Sequence, residues 1–339
     1  MKKSFLIIAA AAFLMLLLLA GGLSAQNSGN KPAKHSGYKV TGAIDIGGDE
    51  RWDYCIVDTI NQQLFVTHGN RVNVVSLKTN SPKGEITGLN GVHGIALVNE
   101  FNKGYISNGR SDTVTVFNLK TLKVTGKINV TGSNPDAIVY DPYSKRVFTF
   151  NGRSSNSTAI DVTTDKIAGT LALDGKPEFS VSNLKGRMYV NIEDKSIIEE
   201  FDPKALKVTN KFSIAPCREP SGLAIDLKNN RLFTVGSNKK MAVLDAGTGK
   251  VVAALTIGGR VDGCAYDPAT HFVFASNGEG TLSVILQYSP DRYEVLDNIP
   301  TARGLRTLAV DNNSHKVYLI GMIEGKNNKK SFGVLIVSR

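Results

Sequence analysis

Four carboxyl residues recur at one position of a repeat. Asp53, Asp136, Glu178 and Asp262 each stand five residues before an Asp or Asn that opens a turn. Gly94, Ser221 and Arg306 hold that position in the other units, and His93 is next to Gly94. The surrounding stretches are otherwise apolar or small. Arg51, Arg218, Arg260 and Arg303 fall in the loops just ahead of the same stretches. Like charges held close together raise each other's pKa or need a cation to settle them. If the repeat winds around an axis, these groups converge as a ring of acids interleaved with arginines. Such a ring is a polar pocket for a ligand, metal or substrate, or else a set of ion pairs that only orders loops. Asp53, Asp136, Glu178 and Asp262 would be the ligands of any metal, and oxygen donors in a ring suit a hard cation such as calcium. Trp52, the single tryptophan, stands beside Asp53, either as core or as a stacking platform.

Other chemistry is excluded more firmly. The cysteines Cys55, Cys217 and Cys264 form no CxxC or CxxCH, so neither a zinc ribbon nor attached c-type haem is encoded. Cys55 and Cys264 share one repeat position that faces a core, which predicts inert thiols. No GxSxG, HExxH or phosphate-binding glycine loop occurs, and no cofactor is expected. His68, His271 and His315 fall near turns and are expected to be solvated. With His93 alone near the acids, a histidine-rich metal site is not encoded.

The elements that must position the acids follow from the repeat. An apolar strand, an Asp or Asn, a short turn and a second apolar strand recur seven times, with anchors at Asp58, Asn99, Asp141, Asn183, Asp226, Asp267 and Asp311. An Asp or Asn there caps the turn by bonding the backbone two residues on, so the anchors are structural. Third and fourth strands such as TVTVFNL and KVTGKINV follow in each unit. Four short strands per repeat of about forty residues predict an all-β, seven-bladed β-propeller with four-stranded antiparallel blades. The seventh unit lacks a fourth strand, and YKVTGAIDI (38–46) matches LKVTGKINV (122–130). The N-terminal strand is therefore expected to close the last blade, removing an exposed edge.

YISN (105–108), MYVN (188–191) and FVTH (65–68), with the DP turns, resemble the YVTN motif. The chain over 38–339 thus resembles the YVTN-repeat, YncE-like family of exported seven-bladed propellers. The resemblance implies that the first strand of each blade lines a central channel. It also places Trp52, Asp53, His93, Asp136, Glu178, Arg218, Arg260, Asp262, Arg303 and Arg306 at the channel mouth.

The chain opens with MKKSFLIIAAAAFLMLLLLAGGLSAQ. Two lysines, an apolar run and small residues read as a signal peptide over 1–25, and 26–37 as a polar linker. The expected location is the periplasm or outside the cell, with no membrane span after cleavage and a monomeric mature protein. The formal charge is +10, which favours anionic partners or surfaces. The leading functional reading is a non-catalytic binding or scaffold propeller that recognises a protein, peptide or glycan at the channel mouth. The alternatives are a calcium-assisted, lactonase-like hydrolase, and a single-stranded nucleic-acid binder using basic loops and Trp52.

Overall fold

The computed structural model describes residues 35–325 and 329–339. The leader, all but the last three residues of the linker and the middle of the insert at 324–330 lie outside the described residues. Seven four-stranded antiparallel sheets account for every strand described, and six of them take their strands in chain order. Each inner strand packs against those of the neighbouring blades, so the ring closes into a propeller. Among the described residues, two short 3-10 turns, Asn99–Phe101 and Glu193–Lys195, are the helical segments.

Burial falls outward along each blade, as the sequence pattern requires. The second strand Gln63–His68 is buried throughout because both its faces meet other blades. The outermost strand Val124–Asn129 alternates between exposed and half-buried residues. β-branched and aromatic side chains fill the spaces between blades, where burying each large one contributes roughly 1.5–3 kcal/mol.

The last blade closes as expected. Lys39–Asp45 pairs antiparallel with Lys330–Ser338, setting Val40 against Val337 and Ile44 against Val334. Ile44 is buried with Leu64, Val66, Tyr318 and Phe332, so this strand also seals blade seven onto blade one. Ile44→Ala is expected to cost about 2–5 kcal/mol, read as a lower melting temperature by calorimetry. An unchanged melting point would mean that the closing strand adds little.

The anchors serve their turns. Asp58 accepts backbone N–H bonds from Ile60 and Asn61, and Asp141 from Ser144. Asp226, Asp267 and Asp311 act alike. Blade two departs from the pattern. Its inner strand ends at Val98, and Asn99 opens a 3-10 turn instead.

Three local expectations need correction. His68 is fully buried at a strand end, stacked on Phe332 with ring centroids 4.0 Å apart, and is not solvated. It replaces an asparagine that closes the second strand elsewhere: Asn108 donates to Thr115, Asn151 to Thr158 and Asn277 to Ser283. His68 meets Asn73 in the corresponding way, 3.1 Å from Nδ1 to Oδ1. MYVN is offset by one, because Ile192, not Asn191, pairs with the first residue of its inner strand. His315 is only part-exposed and meets Asp267 at 2.8 Å. His271 is exposed as expected.

Candidate functional site

The acids converge through a repeated backbone device. In six blades the inner strand loses register with its neighbour just after its first residue: Trp52/Cys55, Val92/Ile95, Pro135/Ile138, Pro177/Ser180, Pro220/Leu223 and Val261/Gly263. Such bulges re-aim side chains, and they recur beside functional sites. The first residue inside each break is Asp53, His93, Asp136, Glu178, Ser221 or Asp262, and Arg306 precedes the inner strand Thr307–Asp311 of blade seven. The register corrects the alignment in blade two, where the ring position is His93 and not Gly94.

Hydroxyl and amide side chains hold the bulges. Thr67 Oγ1 accepts from the N–H groups of Asp53 and Tyr54. Ser107 donates to the Asp136 carbonyl, Thr307 to that of Asp53, Ser276 to that of Arg306, and Asn191 to that of Ser221. The ring's backbone is thus fastened blade to blade, so its side chains are set before any ligand arrives.

All seven ring residues line one cavity of about 700 Å³ at the channel mouth. Around the ring, Arg306 lies 3.1 Å from Asp262 and 3.7 Å from Asp53. His93 Nδ1 is 2.6 Å from Asp53 and 3.7 Å from Asp136. One continuous chain therefore runs Asp262–Arg306–Asp53–His93–Asp136. Glu178 lies outside it and pairs with Lys176 at 2.8 Å, and Lys176 also holds Glu193.

Burial dominates the electrostatics. It pushes the Asp262 carboxyl up to about 7, against the pull of Arg306 and with the help of Asp53 and Asp136. Burial, then the field of Asp53, raises Asp136. Burial and Asp136 together raise Glu178 despite Lys176. Burial opposes charge on His93, but its bond to Asp53 and the fields of Asp136 and Asp53 outweigh it, so His93 is raised. Four acids face Arg306, His93 and Lys176 on the floor, and burial favours the protonated form of Asp136, Glu178 and Asp262.

Of the ten residues expected at the mouth, Trp52, Asp53, His93, Asp136, Glu178, Asp262 and Arg306 line the cavity. Arg218, Arg260 and Arg303 are exposed and lie outside its lining, so they do not interleave with the acids. Of the four arginines expected among the acids, Arg51 alone joins the lining, with Arg110 and Arg153 from the loops between second and third strands; all three are exposed and have no carboxylate at ion-pair distance among the described residues. Trp52 is part-buried, packed on Phe332 at 5.5 Å between centroids. Sequence reasoning missed Tyr54, whose hydroxyl serves Asp136, and Lys176. A signal existed for Lys176, since Arg51, Lys176 and Arg260 all stand two residues ahead of a ring position.

The arrangement suits binding better than nucleophilic chemistry. The Ser221 hydroxyl is engaged with the Val261 carbonyl at 3.2 Å. Cys55, Cys217 and Cys264 are free, buried and outside the cavity lining. Burial raises the pKa of all three thiols, pushing Cys217 up to about 11. Asp53, His93 and Asp136 can present one ligand atom each within 4.8 Å of one another, the one such group among the described residues.

No family model matches the chain, and no curated protein matches it. Among solved structures it is similar to a chain of Kuenenia stuttgartiensis hydrazine synthase, with a TM-score of 0.68 and 15% identity. The match covers 82% of this chain and 94% of that one. At that identity the likeness carries the fold alone. The protein is a seven-bladed β-propeller with an acid-rich cavity at one channel mouth. Among the described residues, no helix is long and apolar enough to cross a membrane.

Proposed function

We propose that this is an exported binding propeller whose channel-mouth cavity receives a cationic group from a protein segment or peptide. One observation carries the reading. The floor gathers four carboxyls whose negative charge exceeds that of the ring cations, and burial holds three of them up in pKa. An incoming ammonium or guanidinium group would take the place of protons held by these carboxyls as counter-charge. Arg51, Arg110 and Arg153 are exposed where the floor is part-buried, so the cavity has a negative base and a positive rim. That polarity fits a cationic tip flanked by anionic groups. An amino-bearing glycan with acidic neighbours offers the same chemistry but fewer backbone groups for Asn70 and Asn134 at the rim. The YVTN-like strands and the leader support the exported, YncE-like placement, in the periplasm or outside the cell.

A suitable probe is the blocked tripeptide aspartate–lysine–aspartate, followed through the fluorescence of Trp52. Asp136→Asn with Glu178→Gln is expected to weaken it about tenfold or more. The charge-reversed lysine–aspartate–lysine peptide should bind less well. Equal binding of both peptides would defeat the reading.

The Asp53–His93–Asp136 group favours a second reading, a divalent cation at the mouth with metal-assisted hydrolysis. Against it, His93 and Arg306 already flank Asp53. If the site binds cationic groups instead, calcium added after EDTA leaves the melting temperature unchanged. A calcium-dependent rise, lost in Asp136→Ala, would favour the metal reading.

A further inference from the structure

The opposite end of the propeller carries a different surface. Among the described residues, every exposed large apolar side chain lies there. Ile60, Tyr143, Leu184 and Leu227 occupy the turns between the first and second strands of blades one, three, four and five. Val40, Val124 and Ile167 stand at the starts of outermost strands. In an antiparallel four-stranded blade, the end of the first strand and the start of the fourth share one end, opposite the ring of acids. Ile60 is 71% exposed, which nothing in the fold requires of an isoleucine at a turn.

The tips are accompanied by cations. Exposed Lys145, Lys185, Lys204 and Lys228 lie within two residues of an apolar tip or against one. Lys204 Nζ sits 4.1 Å from the centre of the Tyr143 ring, and that ring packs on Gly186, two residues from Leu184. Blades three and four therefore share one continuous patch. The aspartates of the same turns are withdrawn: Asp58, Asp141 and Asp226 are buried and accept turn N–H bonds. The chain also enters the propeller here, because Tyr38 bonds the His315 carbonyl in the blade-seven turn of this end.

We infer that this end rests on an anionic lipid bilayer, with lysines meeting headgroup phosphates and the apolar tips entering the interface. Apolar and aromatic tips among lysines are the composition that binds an anionic membrane surface without spanning it. Docked this way, the acidic cavity faces away from the membrane. The inference is independent of what the cavity binds.

Residues 35–339 supply all four strands of every blade, so the propeller can be tested without the preceding segment. It is expected to sediment with vesicles of phosphatidylglycerol and phosphatidylcholine, and not with phosphatidylcholine alone. Ile60→Asp with Leu184→Asp and Leu227→Asp, or Lys185→Glu with Lys204→Glu, should each weaken binding about tenfold or more. Arg110→Ala with Arg153→Ala, at the other end, should leave it unchanged. On vesicles the wild-type Lys185 and Lys228 should be shielded from amine labelling while Lys239 stays reactive, a readout needing no variant. Absence of sedimentation, equal losses from both ends, or binding indifferent to the aspartate substitutions would each overturn the inference.

Discussion

Asp262→Asn is expected to raise the melting temperature at pH 8 and to leave it almost unchanged at pH 4. The folded carboxyl is raised to about 7, chiefly by burial, and the ordinary value is 3.8. Between those values the native state holds a proton that the unfolded chain has lost. Stability therefore falls as pH rises from about 4 to about 7, and the penalty stays constant above that. Three pH units correspond to about 4 kcal/mol. The pull of Arg306 at 3.1 Å is already contained in that figure, and a carboxamide that is less well paired takes back part of the gain, so about 2–3 kcal/mol is expected at pH 8. For a domain of this size, that is on the order of 3–5 °C. Calorimetry of both proteins at the two pH values checks it. An equal shift at pH 4 would mean that packing, not ionisation, is responsible. A site that lowers stability through its own charges fits residues kept for binding rather than for folding.

Gly222→Ala is expected to destabilise the propeller by about 3 kcal/mol. Gly222 follows the ring position of blade five. A Cβ there would stand 2.7 Å from both the Asp262 carbonyl oxygen and the Cys264 nitrogen. Both are backbone atoms of the blade-six inner strand, so no rotamer change relieves the clash. The two strands must separate, and Asp262 moves with them. A melting temperature within a degree or two of wild type, measured by calorimetry, would show that the inner strands are not tightly spaced.

The blade count, the anchors and the closing strand were legible because each depends on a pattern that repeats seven times. The ring of acids was legible for the same reason, since charges that recur at the blade period within apolar stretches must gather where the inner strands converge. Its composition was read less well. Counting back from Asn99 selected Gly94, but a 3-10 turn displaces that anchor from the strand end, and His93 holds the position. No spacing rule separates a strand-ending Asp from a turn-opening Asn. Arg218, Arg260 and Arg303 were placed by sequence proximity. Arg260 has a left-handed backbone, φ 58°, at the loop just before its strand, and its side chain is exposed outside the cavity lining. Membership of the cavity lining is set by loop conformation, which the repeat does not encode. His68 was misread for a different reason. Its equivalence to the buried asparagines of the other blades was visible in FVTH, yet histidine near a turn suggested solvent.

The two ends of the propeller thus differ in kind. One carries protonatable acids under an arginine rim, and the other carries lysines around apolar tips. The central claim concerns the first, that part-buried carboxyls there receive a cationic group. Proton release on binding tests it most directly. Calorimetric titration of the aspartate–lysine–aspartate peptide at pH 6.5, in buffers of different ionisation enthalpy, counts the protons exchanged. Binding with net proton release is expected, reduced in Asp262→Asn with Glu178→Gln. Binding without proton release, or no binding at low salt, would contradict the claim.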